Sequence, residues 1–282
     1  MERGWVERWT RSGVRLRRDS QREGEWNWLL VPGGPGLGSE SVAGLARAAE
    51  LPGTVWLIDL PGDGSNRGVP QVPQSPYVLW PGVLAEATDG LDQIVMVGHS
   101  TGAMFMLSVP ELADRLVGMA LVSGAPHAGW RASFGTWAEA RPLPGLPNAA
   151  QAYAKEPDDR TLRDLTVAAA AWNFTAAGLA EGQALLEHLP YCQDAVAWAE
   201  SDFDDDYRAK WKPGGSKPVT LIVSGAEDHV VDQSLWQQDP AFDQPHTLKR
   251  TIERAGHFPW IENPHAVRAA FEDFIDLLEH TR

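Results

Sequence analysis

The chain has 282 residues, 43% of them hydrophobic and 22% charged, an ordinary globular balance that excludes wholesale disorder and a coiled coil. A net charge of −14, from 24 Lys and Arg against 38 Asp and Glu, repels phosphate backbones and argues against nucleic acid as a partner. The single cysteine, Cys192, excludes an intrachain disulfide and a cysteine-based zinc cluster.

In chain order, residues 1–10 alternate charge with tryptophan and hold no signal-like apolar core, and no later apolar run is long enough to span a bilayer. The expectation is a soluble, cytoplasmic protein without membrane contact. Strand-like runs stand at 5–9, 14–18 and 26–31, the first two alternating as an exposed antiparallel edge does. A helix over 40–50 and a buried strand over 54–59 follow, then a helix over 76–89 interrupted at Pro81. Residues 93–97 read as a buried strand, 101–108 as a helix and 116–123 as a further strand. Such alternation implies a mostly parallel sheet with helices on both faces. From 125 to 217 the pattern changes. This stretch is Pro- and Gly-rich at 142–147, acidic at 156–159 and 202–206, and helical around 161–172 and 178–189. Strands resume at 218–224 and 246–253, and an amphipathic helix over 264–280 closes the chain. The organisation is an α/β core, 1–124 and 218–282, interrupted by a helical insertion at 125–217 the size of a small domain.

The strongest chemical signal is Val97-Gly98-His99-Ser100-Thr101-Gly102, a G-x-S-x-G match with a strand before it and a helix after it. So tight a reversal admits only small flanking residues. It stands Ser100 at the carboxyl edge of the sheet, beside the positive end of the next helix. A serine hydroxyl is a weak nucleophile and needs a histidine base oriented by a carboxylate, here in the chain order serine, acid, histidine. His257, in Ala255-Gly256-His257-Phe258-Pro259 between the last strand and the last helix, lies at the same sheet edge; His265 is its rival. His99 is too near the elbow to reach back, and His127, His188, His246 and His280 have no special setting. For the acid, Asp228 follows the strand at 219–224, with Glu227 and Asp232 as local alternatives. Two N–H donors must meet the developing oxyanion. One is Thr101 and the other Gly33 or Gly34 of Pro32-Gly33-Gly34-Pro35-Gly36, since proline has no N–H to give. Trp172 and Phe258 are candidate pocket walls.

On these residues the chain resembles an α/β-hydrolase with a helical cap, and the resemblance covers nearly the whole core. It rests on 32–38, 59–65, the elbow at Ser100, 225–228 and Gly256-His257. Within that superfamily the loop at 33–38 is similar to the His-Gly-Gly-Pro-Gly motif of proline iminopeptidases, which implies Gly34 as the second oxyanion donor. Pro32 stands where that branch has histidine, and the elbow reads Gly-His-Ser-Thr-Gly in place of Gly-Gly-Ser-Trp-Gly. The segment Trp172-Asn173-Phe174-Thr175-Ala176 lacks the glutamate which those caps present to a free amine. The expectation is a serine hydrolase of a small-molecule ester, lactone or amide, working through an acyl-enzyme without metal or organic cofactor. An iminopeptidase-like aminopeptidase is the alternative, and a ligand-binding protein with little turnover the second alternative. A histidine base also implies activity that falls as pH drops through about 6 to 7.

Overall fold

The computed structural model describes residues 6–214 and 217–281. Its strands are β1 (Glu7–Trp9), β2 (Arg15–Gln21), β3 (Asn27–Val31), β4 (Thr54–Asp59), β5 (Ile94–His99), β6 (Leu116–Val122), β7 (Val219–Gly225) and β8 (Thr247–Ile252). They form one sheet in the order β1-β2-β4-β3-β5-β6-β7-β8. Pairings β1–β2 and β2–β4 are antiparallel, and all those from β4 onward to β8 are parallel. Before the insertion stand α1 (Ala43–Ala49), α2 (Leu84–Ala87) and α3 (Thr101–Leu107). Within it are α4 (Trp130–Glu139), α5 (Leu146–Lys155), α6 (Asp159–Ala168), α7 (Ala170–Asn173), α8 (Leu179–Glu187) and α9 (Gln193–Asp202). After it come α10 (Pro259–Glu262) and α11 (Pro264–His280). No helix among the described residues is long and apolar enough to cross a membrane.

Side chains alternate along each strand, so the sheet feeds two separate cores. Trp28, Leu30, Val55, Leu57, Val95 and Val97 pack against α1 and α11 on one face. Leu29, Val31, Ile58 and Met96 pack against α3 on the other. The closing helix matches its expected span: Asn263 caps it by accepting the Ala266 N–H at 3.2 Å, and Pro264 occupies its first turn. Its buried stripe is Val267, Ala270, Phe271, Phe274 and Leu278. Each of the larger members contributes about 1.5–3 kcal/mol of burial.

The structure corrects the reading at several places. Of the run at 5–9, Trp5 lies outside the described residues, and β1 begins at Glu7. The run at 14–18 is not an edge: β2 pairs on both sides, and β1 takes the edge. Charge on β2 is tolerated inside because Arg15 and Arg17 both reach the Asp59 carboxylate at the end of β4, at 2.8 and 3.0 Å. The helix expected over 76–89 is instead a 3-10 turn at Pro76–Leu79 and the short α2, with Pro81 between them. Finally, the helix expected over 161–172 breaks at Ala169, and α4, α5 and α9 were not foreseen. They carry little apolar stripe to read: α4 and α5 bury none of their residues, and α9 buries only Ala195 and Ala199.

Candidate active site

Strand β5 turns into α3 at Ser100, whose backbone lies at φ 50 and ψ −120. A non-glycine residue there costs on the order of 1–3 kcal/mol, offset by the packing around it. The turn has no spare volume. A Cβ on Gly98 would sit 2.5 Å from the Ala103 nitrogen, and one on Gly102 would run into the carbonyl oxygens of Val31 and Pro32. The Ser100 N–H donates to the Val122 carbonyl at 2.8 Å, which ties the elbow to β6.

His257 Nε2 lies 3.0 Å from Ser100 Oγ. Its Nδ1 lies 3.0 Å from Asp228 Oδ2 and 3.2 Å from Oδ1. Because Nδ1–H must donate to the carboxylate, Nε2 is left as the acceptor for the serine proton. Asp228 is itself held by its own loop after β7, where Oδ1 accepts the Val230 and Val231 N–H groups at 3.0 and 3.1 Å. The Asp228 and His257 side chains are only 0% and 5% exposed, which shields their hydrogen bonds from water. Glu227 and His265 point to solvent, and Asp232 instead caps the next turn through the Ser234 N–H at 3.0 Å. The structure thus brings together Ser100, Asp228 and His257 and leaves their rivals apart.

Gly33 packs directly on the elbow: a Cβ there would be 2.9 Å from Ser100 Cβ. The Thr101 hydroxyl donates to the Gly34 carbonyl at 2.8 Å and so fixes that peptide beside the serine. The Gly34 N–H donates to no other group among the described residues, and Thr101 opens α3, where helix N–H groups have no internal partner. Both are therefore open to a ligand oxygen.

Three supports of the His257 loop have no signal in the sequence, because each ties distant parts of the chain together. The His257 N–H donates to the Asn173 carbonyl at 2.8 Å, at the end of α7. Glu262 accepts the Gly256 N–H at 2.6 Å and the Thr175 N–H at 2.8 Å, clamping the His257 loop to the insertion. His99 Nε2–H donates to the His257 carbonyl at 3.0 Å. Burial, and next the neighbouring His257, hold the His99 pKa well below the usual histidine range, so this ring stays neutral. No local motif marks Asn173 or Glu262.

Of the candidate pocket walls, Phe258 is buried, stacked on Phe174 at 5.0 Å and against His99 at 4.7 Å. Trp172 is half-buried, its Nε1–H donates to the Arg141 carbonyl at 3.0 Å, and its ring meets Phe134 edge-on at 5.5 Å. The acidic runs are largely engaged. Asp158 caps α6, Asp159 pairs with Arg67 at 2.7 Å, and Asp204 and Asp205 pair with Arg131 at 3.1 and 3.3 Å.

A sequence profile described as the alpha/beta hydrolase family matches residues 28–270. No curated protein matches the chain. Among solved structures, a proline iminopeptidase-related protein from Thermus thermophilus superposes with a TM-score of 0.71 at 19% identity, over 99% of each chain. The proline iminopeptidase of Mycobacterium smegmatis superposes at 0.63 and 18% identity, over 98% of this chain and 100% of that one. A thermophilic esterase from Thermogutta terrifontis superposes at 0.62 and 16% identity, over 97% and 98%. At such identities the likeness speaks for the fold alone.

Proposed function

The chain belongs to the alpha/beta hydrolase family, and from that premise we propose that it is a serine hydrolase of a small-molecule ester, lactone or amide. The observation that carries the reading is the continuous relay from Asp228 through His257 to Ser100, with both contacts at 3.0 Å. In the first half-reaction Ser100 Oγ attacks the carbonyl carbon as His257 Nε2 takes the hydroxyl proton. Asp228 holds the ring and stabilises the imidazolium. The oxyanion of the tetrahedral intermediate accepts the N–H groups of Gly34 and Thr101. His257 then gives its proton to the leaving oxygen or nitrogen, and an acyl-Ser100 ester remains. In the second half-reaction water attacks that ester, loses its proton to His257, and the acid departs as Ser100 recovers its own. The insertion at 125–217 acts as the cap over this centre and sets the substrate.

The likeness to iminopeptidases favours a second reading, an aminopeptidase that would need a free carboxylate to meet the substrate ammonium. Engagement of Asp158, Asp159, Asp204 and Asp205 in caps and ion pairs supports the ester reading over it. A binding protein with little turnover is the third possibility. The test is turnover of an L-prolyl arylamide and of a short acyl aryl ester by the wild type and by Ser100→Ala. Ester cleavage that requires Ser100 is the expected result. Ser100-dependent cleavage of the prolyl amide at a comparable rate would replace it with the aminopeptidase, and cleavage of neither would favour the binding protein.

A further inference from the structure

Asp63 is a buried acid that the chemistry above does not use, yet it stands where three parts of the site meet. It lies in the turn after β4, is 1% exposed, and accepts the Gly64 N–H on Oδ1 at 2.7 Å. The Gly36 N–H also favours its charged form. Gly36 belongs to the loop that carries Gly34, and its carbonyl accepts the Cys192 N–H at 2.9 Å at the start of α9. Cys192 Sγ donates to the Gly62 carbonyl at 3.1 Å, and the Tyr77 hydroxyl lies 3.3 Å from that sulfur. The junction is close-packed: Gly64 abuts Gly38, and a Cβ on Gly36 would be 2.6 Å from the Cys192 carbonyl oxygen. A shift of the Asp63 turn is thus a shift of the Gly34 loop.

The charges facing Asp63 are unhelpful to it. Asp59 and Glu40 are both acidic, and Arg15 and Arg17 are engaged with them. Tyr77 and Cys192 are held neutral by burial, and Arg67 is paired with Asp159. No cation lies within ion-pairing distance of Asp63 among the described residues. Burial first, then the charge on Asp59, push its pKa up to about 7 against the two N–H groups. Both protonation states are therefore present near neutrality.

We propose that Asp63 is a positioning residue for the hydrolysis: its carboxylate holds the Gly64 N–H in a turn packed against the 33–38 loop and so sets the Gly34 loop, and its protonation releases that loop. The proposal rests on the serine hydrolase reading. A carboxylate is acceptor-only, whereas the protonated acid turns one oxygen into a donor and holds the Gly64 N–H less firmly. A charged acceptor also makes the stronger bonds. An amide at this position imitates the protonated state: it is neutral, and one of its two polar atoms is a donor.

The experiment compares wild type and Asp63→Asn on an ester substrate. In the wild type both His257 and Asp63 must lose a proton, so the acid limb of log kcat/KM should approach a slope of about two. In the variant it should fall to about one, with kcat at least about a hundredfold lower on the alkaline plateau and KM little changed. A slope of one in the wild type, or an unchanged slope in the variant, overturns the proposal; a residue that merely supports the turn moves no slope. A second measurement needs no turnover. In Ser100→Ala protein, the Gly34 and Gly36 amide resonances should follow a titration near neutrality that the added Asp63→Asn change abolishes. Amides that stay flat between about pH 5 and 9 overturn the proposal even where Ser100-dependent turnover is intact. Turnover that survives in Ser100→Ala overturns the hydrolase reading instead, and the amide titration still decides the role of Asp63.

Discussion

Helix α3, behind Ser100, and helix α4, in the insertion, are built in opposite ways. All seven residues of α3 are buried, while none of the ten residues of α4 is. α3 backs Ser100, where interior packing leaves no room for a methyl group. α4 is held by surface contacts instead: Trp137 stacks on His229 at 4.5 Å, Phe134 meets Trp172, and Arg131 pairs with Asp204. The elbow is fixed by packing that cannot yield, and α4 rests on contacts that are individually weak. One kind of substitution should therefore act oppositely in the two places.

The largest expected effect lies at the packed side, where Ser100→Ala should lower kcat by at least about 10⁴-fold with the melting temperature unchanged. Steady-state kinetics beside a thermal melt would read this, and a joint loss of both would mean that the serine serves the fold. Next, Gly102→Ala pushes a methyl group into backbone carbonyls that cannot move aside. About 3 kcal/mol or more of destabilisation is expected, read as a fall of roughly 6–12 °C in Tm. Tolerance of alanine there would remove the contrast between the helices.

Asp63→Asn tests a different part of the packed side. The folded pKa of Asp63 is raised to about 7, so the native state binds its proton more tightly than the unfolded chain does. The stability that this confers is full below the unfolded carboxyl range and is lost as pH rises through about 4 to 7. The variant should therefore match the wild type below about pH 4 and exceed it above neutrality, by on the order of 4 kcal/mol in urea melts. A gap that closes as pH rises would carry the wrong sign. The smallest effect is Gly135→Ala, within α4. A Cβ there meets nothing within 4 Å, so the gain in helix propensity should stabilise by about 0.5–1 kcal/mol. Destabilisation would mean that α4 is packed more tightly than its exposure says.

The same contrast decides what was readable from sequence. The spans of β4 and α11 were foreseen to the residue, because burial on fixed faces leaves a periodic apolar pattern. The elbow, His257 and Asp228 were legible because their spacing is local to a strand end. Helices α4 and α5 bury none of their residues, and α9 buries only alanines, which mark a face poorly. Asn173, Glu262 and His99 act on the His257 loop by a backbone carbonyl, a clamp between two segments and a ring nitrogen, the last across 158 positions of chain. None has a side-chain spacing that a motif records. Gly36 is required for a reason no motif states: the backbone of Cys192 approaches it too closely for a Cβ.

The two ends of the sheet bear on how copies of the chain meet. An unpaired strand edge is a template for another chain, and charge or brevity blunts it. At one end β1 is three residues long, and at the other β8 carries Lys249 and Arg250, bonded outward to Asp243 and Asp273. Adding a foreign strand beside β8 means desolvating two cations and displacing their partners. Edge-to-edge pairing of sheets is thereby discouraged.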